Sequence, residues 1–329
     1  MVEYIDQQIN HLSWQVIGKS ADVTLSESCG DCIISGSNTH ISIWQFVDEP
    51  GVYDQLPIAE IASELVPSGV CKVQLVGNIA FSALSVGNVY IHELVTERDH
   101  RKFLRPLAEA NNLHKRYKCN DMLFCPQKKS VLTCGDDGVI ACFHVDRPEK
   151  VDTRQALESS IRCMDLITPN EVICGTLSGS LKHFDLRTCD CISTFNSQNL
   201  STLTCIQRNP NVNHLATGGN DQGFILMYDL RNPSIAVAQI SAHSSLVTAV
   251  KYRPRDPCTL YSSSCDGELF RWNLNTEFSA NQMPWKVESI SRMKEPLSIT
   301  SLDINDSGDM IYTSDHGAIF YQKLNEIGA

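Results

Sequence analysis

An all-β fold built as a ring of repeated sheets is predicted for this sequence by three observations. The first is a hairpin signal in Leu260 to Leu274, where Leu260-Tyr261 and Leu269-Phe270-Arg271-Trp272 flank Asp266-Gly267. Asp-Gly tolerates the positive φ angles of a tight turn, so the stretch reads as a β-hairpin. The second is recurrence. The pattern returns at Ile33 to Phe46, Ile79 to Leu94, Val131 to Val145, Val172 to Arg187, His214 to Arg231 and Met310 to Leu324. The matched turn positions Thr39, Gly87, Gly138, Gly179, Gly223, Gly267 and Gly317 lie 48, 51, 41, 44, 44 and 50 residues apart. The third is an alternating run ahead of the hairpins, as in Ile161 to Leu166 and Ile299 to Ile304, with a fourth strand after several, as at Ile235 to Ile240. Four strands per unit and seven units make a seven-bladed β-propeller, one domain over residues 1–329.

The sixth unit carries the fullest internal signature. His243 in the loop ahead, Ser262 or Ser264 on a strand, Asp266 at the turn and Trp272 beyond it form the hydrogen-bonded set of a WD repeat, so the fold class is a WD-repeat propeller. Of that set the expected members are His243, Ser264, Asp266 and Trp272. Elsewhere the tryptophan position holds Phe143, Phe184, Tyr228 and His92, which keep bulk but lose the indole donor.

The ends complete the ring. After the seventh hairpin too few residues remain for a fourth strand, while Ile9 to Val16 is strand-like and precedes the first blade. Residues 1–17 are therefore expected to supply a closing strand to the last blade, covering an edge that would otherwise invite aggregation. The longer intervals place loop insertions at 97–118 and 275–298.

Composition narrows the function classes. The hydrophobic fraction of 42% suits a globular core, and no apolar run approaches the ~18 residues of a membrane span, so no membrane insertion is expected. The start Met1-Val2-Glu3-Tyr4-Ile5-Asp6 lacks the basic and apolar regions of a secretory signal, which predicts a cytosolic or nuclear protein. Fourteen cysteines, mostly inside strand-like runs, then read as reduced packing residues. A net charge of −11 disfavours direct nucleic-acid binding and favours protein partners.

Chemical motifs are sparse. Cys29-Gly30-Asp31-Cys32 has knuckle spacing but no second ligand pair, so no metal site is expected. Gly18-Lys19-Ser20 lacks the earlier glycine of a phosphate loop, and Gly175-Thr176-Leu177-Ser178-Gly179 places its serine one position late for a nucleophile elbow. No nucleophile, base and orienting group assemble, and no carboxylate set for a hydrolytic channel is evident. The sequence therefore predicts neither catalytic residues nor a cofactor.

The insertions carry the candidate contacts. Residues 97–118 hold seven Lys or Arg against three acidic residues, with Arg101, Lys102, Phe103, Arg105 and Tyr117 as candidate partner contacts beside Lys115, Arg116 and Lys118. Phe278 and Trp285, with Met283, offer an apolar patch in the second insertion. Solvated and tucked-in readings of both stretches stay open.

The run Asn213 to Gly223, continuing through Ser241-Ala242-His243 and Tyr252-Arg253-Pro254 to Cys265-Asp266-Gly267-Glu268-Leu269, resembles the WD-repeat nucleoporins of the nuclear pore Y-complex. The opening Gln8 to Trp14, the closing Ser301-Leu302-Asp303 and the strand Asp315 to Tyr321 are similar to their ends. That resemblance implies a non-enzymatic scaffold at the nuclear envelope. It would bind an α-helical solenoid nucleoporin in the short arm of the Y, and other Y-complex subunits. It would support pore assembly and transport of protein and mRNA, with a kinetochore role in mitosis. An alternative rests on Phe184-Asp185-Leu186-Arg187 and Tyr228-Asp229-Leu230-Arg231, which resemble the boxes through which substrate-receptor propellers dock on cullin-4 ubiquitin ligases. Strand-end arginines pairing with nearby carboxylates would look the same.

Overall fold

A computed structural model of the chain describes the backbone of residues 2–4, 9–15, 32–46, 58–196, 201–212, 215–233, 236–254, 256–274, 286–292, 297–305 and 308–322. A three-residue strand, β1 (Val2–Tyr4), comes first. Blade one is β2 (Ile9–Gln15), β3 (Cys32–Ser37), β4 (His40–Phe46) and β5 (Ile58–Leu65). Blade two is β6 (Val70–Val76), β7 (Ile79–Leu84), β8 (Val89–Thr96) and β9 (Lys102–Ala110). Blade three is β10 (Cys119–Cys125), β11 (Ser130–Gly135), β12 (Val139–His144) and β13 (Arg147–Ala156). Blade four is β14 (Ile161–Thr168), β15 (Glu171–Thr176), β16 (Leu181–Asp185) and β17 (Asp190–Phe195). Blade five is β18 (Leu203–Arg208), β19 (Leu215–Asn220), β20 (Phe224–Asp229) and β21 (Ala238–Ser241). Blade six is β22 (Val247–Arg253), β23 (Asp256–Ser264), β24 (Glu268–Asn273) and β25 (Lys286–Arg292). Blade seven is β26 (Ile299–Ile304), β27 (Met310–Ser314) and β28 (Ala318–Gln322), with β1 as its fourth strand.

Each sheet is antiparallel, and the seven inner strands touch in a closed ring in which β2 meets both β6 and β26. Ring closure by an N-terminal strand in the last blade is thus observed, but the strand is not the expected one. Val2, Glu3 and Tyr4 pair with Phe320, Ile319 and Ala318, whereas Ile9–Gln15 pairs with β3 as the inner strand of blade one. Blade one needs an inner strand of its own, and a three-residue strand is too short for alternation to reveal.

Both expected insertions are also corrected in part. Lys102–Ala110 is the outer strand of blade two, so 97–118 is a turn, a strand and a connecting loop. Lys286–Arg292 is likewise the outer strand of blade six, and Phe278, Met283 and Trp285 lie outside the described residues. Outer strands touch one neighbour in their sheet and are half solvated, so their polar residues mimic loops.

The turns differ from the Asp-Gly expectation. At the hairpin apices Gly87, Gly138, Gly179, Gly223, Gly267 and Gly317 have φ between +71° and +84°, while Asp266 stays at negative φ. Each glycine N–H bonds the carbonyl three residues back, as Gly267 does to Ser264. These are type I turns closed by a left-handed glycine, so the aspartate is free to act through its side chain. At Gly223 a Cβ would stand 2.2 Å from the His243 carbonyl oxygen, which leaves room for glycine alone.

The core lies between blades. One cluster joins Ile34, Ile41 and Ile43 of blade one to Val70, Val73 and Leu84 of blade two, and equivalent clusters follow round the ring. Small residues set the approach: a Cβ on Gly36 would meet Val70 at 2.4 Å, and one on Gly219 would meet Val247 at 2.5 Å.

Candidate partner-binding surfaces

Every inner strand carries the same irregularity, a register skip after its first residue pair, and this builds the seams between blades. Asn120, a skipped residue, donates to the carbonyl of Ile161 at 2.8 Å, and Thr204 donates to that of Val247 at 2.6 Å. Farther along, each side chain meets a backbone N–H of the next blade. Gln74 accepts from Phe124, Asp121 from Met164, Asp165 from Arg208 and Gln207 from Tyr252. An inner edge leaves backbone donors without a ladder partner, and these side chains satisfy them.

The inner strands therefore do bring carboxylates together, which the sequence reading did not anticipate. Lys72 pairs with Asp121 and Lys251 with Asp303, each at 3.1 Å. Burial pushes the Asp165 carboxyl up to about 6, against the opposing pull of the Arg208 and Leu166 amides and the charges of Arg208 and Lys251. Burial pulls Lys72 down, but the Asp121 carboxylate outweighs it and the ammonium titrates above its ordinary value. These residues are committed to seams and ion pairs that tie neighbouring blades together.

Among the described residues, the polar set stands in different degrees in blades six, three and one. In blade six the indole Nε1–H of Trp272 donates to Ser262 Oγ at 2.9 Å, and His243 Nε2 lies 2.8 Å from the same oxygen. Since indole only donates, the serine proton is left for the imidazole, and Nδ1 faces Asp266 at 3.3 Å. Asp266 also accepts the backbone N–H of Ser244 and of Glu268. Burial holds His243 below its ordinary pKa despite Asp266. Burial would raise Asp266, but the two amides and His243 bring it below the usual range. The bridging serine is Ser262, not Ser264: the two share a strand face, but Ser262 lies two residues from Leu260, the cross-strand partner of Trp272, whereas Ser264 lies four away at the turn and accepts the Asp266 N–H at 3.1 Å. His243, Asp266 and Glu268 have the spacing of a metal triad, but His243 Nε2 and both Asp266 oxygens already hold partners.

Blade three repeats the set without tryptophan. His114, fully buried, sits 2.9 Å from Asp137 and 2.9 Å from Thr133, with Phe143 in the indole place. The sequence reading overlooked His114. A spacing signal existed, since His114 precedes Asp137 by the same 23 residues that separate His243 from Asp266. In blade one Trp44 donates to Ser35 at 2.8 Å.

The candidate contacts do not form one patch. Arg101 pairs with Asp99, Lys102 donates to Gln45 of blade one, and Arg105 is bonded to Glu93. These lie at or near the start of β9, with Phe103 39% exposed among them. Tyr117, 55% exposed, lies past the far end of that strand, about 25 Å away at ~3.3 Å per residue. Around it Lys115, Arg116 and Lys118 are exposed. Of the six non-glycine residues at positive φ among the described residues, His100, Asn112, Lys115 and Arg116 fall within 97–118. Such backbone costs about 1–2 kcal/mol per residue.

Arg187 and Arg231 each grip the aspartate two positions earlier through two nitrogens, with Nη2 distances of 2.6 and 2.7 Å to Asp185 and Asp229. This is the strand-end pairing that competed with the ligase reading.

No protein-family model matches the chain. Mouse nucleoporin Nup43 is 28% identical over 153 residues, 45% of this chain and 40% of its own length. Human nucleoporin Nup43 is 29% identical over 154 residues, with the same two shares. The nuclear pore complex protein nup43 of Dictyostelium discoideum is 24% identical over 152 residues, 45% of this chain and 36% of its own length. In each case the match spans well under half of the relative.

Proposed function

We propose, from the premise that this chain is a WD-repeat propeller similar to Nup43, that it is a non-enzymatic scaffold subunit of the nuclear pore complex. The observation that carries the reading is the similarity to nucleoporins from mouse, human and Dictyostelium, joined to a closed ring of seven four-stranded sheets. A fold of this kind hosts many functions, so the fold alone does not select this one. The finer reading is membership of the Y-shaped subcomplex, where the propeller binds an α-helical solenoid nucleoporin and supports pore assembly and transport. Its rigidity suits that task. Side chains cross four successive inner seams, from blade two to blade six, so the blades hold one another and present fixed surfaces. The relatives' names carry no mitotic role, and none is proposed.

Tagged full-length chain should give a nuclear-rim signal and co-purify with pore subunits, a solenoid nucleoporin among them. Arg187→Ala combined with Arg231→Ala should leave that set unchanged. A diffuse signal without pore subunits refutes the reading, and a ligase linker protein lost on the double substitution would replace it.

A further inference from the structure

We infer that residues 115–118, the apex of the loop between blades two and three, dock an acidic segment of a protein partner that carries an apolar side chain. Three observations support this. First, the apex is held from both sides. Loop residue Asn112 accepts no slack, its N–H donating to Asn88 of blade two, while His114 bonds Asp137 and Thr133 of blade three. The His114 N–H reaches the Gly87 carbonyl, and Lys118 O receives the Asp136 N–H. Glycine is required at Gly87, since a Cβ there would meet Tyr117 O at 2.5 Å. Second, Lys115 and Arg116 are consecutive non-glycine residues in the left-handed region, with φ of 46° and 72°. Strain of this kind persists where the surroundings over-determine it, and it concentrates at binding sites.

Third, the charges of the apex are unspent. Arg101, Lys102 and Arg105 are engaged inside the chain, but Lys115, Arg116 and Lys118 pair with no carboxylate among the described residues. In the adjoining turn Asp137 Oδ1 is held by His114, and Asp136 Oδ1 by Asn120, Ser160 and Arg162. Exposed Lys115, Arg116 and Lys118 flank the exposed Tyr117 along the chain, and Val86 of the neighbouring turn is 39% exposed. Carboxylates meeting the cations and an apolar side chain meeting Tyr117 and Val86 are the complementary chemistry. A nucleic acid would carry its charge across a chain of net charge −11, which repels an extended polyanion.

The inference rests on the scaffold reading only in expecting a protein partner. The test places a photo-crosslinking benzoylphenylalanine at Tyr117 of the full chain in cells, with the same probe at exposed Leu177 of blade four as control. Sequencing of the adducts should return peptides of net negative charge containing Leu, Phe or a similar residue. Lys115→Glu with Arg116→Glu should cut the yield at least tenfold at an unchanged melting temperature. Lys115→Gly with Arg116→Gly, which suits the backbone but removes the charges, should cut it too, with a melting temperature no lower than the parent's. Neutral or basic peptides, nucleic-acid adducts, a yield no greater than at Leu177, or indifference to both double substitutions overturns the inference. Acidic adducts without pore subunits would leave it standing while the nucleoporin reading falls; pore subunits without adducts would do the reverse.

Discussion

Replacing Ser262 by alanine is expected to destabilise the protein several times more than replacing Ser264, although the two serines are two residues apart and both fully buried. Ser262 Oγ serves two partners, the indole N–H of Trp272 and His243 Nε2, at 2.9 and 2.8 Å. Both partners are buried, so removing the hydroxyl strands two polar atoms away from water. Each stranded group costs ~1–3 kcal/mol, which makes a loss of about 3 kcal/mol reasonable for the pair. Ser264 Oγ serves the N–H of Asp266 at 3.1 Å, and its loss costs ~1 kcal/mol. Unfolding entropy near ~2.1 cal/mol/K per residue gives roughly 0.7 kcal/mol/K for a chain of this length. The melting temperature should therefore fall by about 4 °C for Ser262→Ala and about 1.5 °C for Ser264→Ala. Differential scanning calorimetry at pH 7 resolves that difference. Equal shifts, or a larger one for Ser264→Ala, would mean that the bridging role has been assigned to the wrong hydroxyl.

Two further expectations concern the ring. Deleting residues 1–5 removes three pairings at the edge of β28 and should lower the melting temperature by a few degrees. Deleting residues 1–16 also removes β2, which touches β6 and β26, and should abolish a cooperative transition in calorimetry; equal outcomes for the two deletions would contradict the strand assignment. Asp165 supplies a pH dependence. Its folded pKa of about 6 lies above the unfolded value of 3.8, so between these values the folded chain binds a proton that the unfolded chain does not. This contribution is therefore lost as pH rises through about 6 and is regained on acidification. Relative to Asp165→Asn, the parent should gain about 1–2 kcal/mol between pH 7 and pH 4.5 in urea titrations, allowing for partial solvent screening. A constant difference across that range would refute the shifted carboxyl.

Much of the fold was legible in the residues, because a propeller repeats local patterns that each blade must satisfy for itself. The alternation in Leu260–Trp272, the glycine at six apices and the aromatic position held by Phe143, Phe184 and Tyr228 are all local demands. Seven units followed from counting them. Even His114 was within reach through its spacing to Asp137, though a loop histidine with no tryptophan to match is easily read as scattered.

What the chain order alone determined, then, is the unit and its number, since period and turn chemistry are written into neighbouring residues. Tertiary structure decided which N-terminal strand closes which sheet, which serine meets Trp272, and which of the basic side chains are already taken. Those outcomes turn on pairings between residues far apart in the chain. Arg105 is neutralised by Glu93 across a sheet and Lys102 is held by Gln45 of another blade, whereas Lys115 and Arg116 face outward because His114 is pinned beneath them. A cation's availability depends on what stands within about 4 Å of it in space, and spacing along the chain does not carry that information.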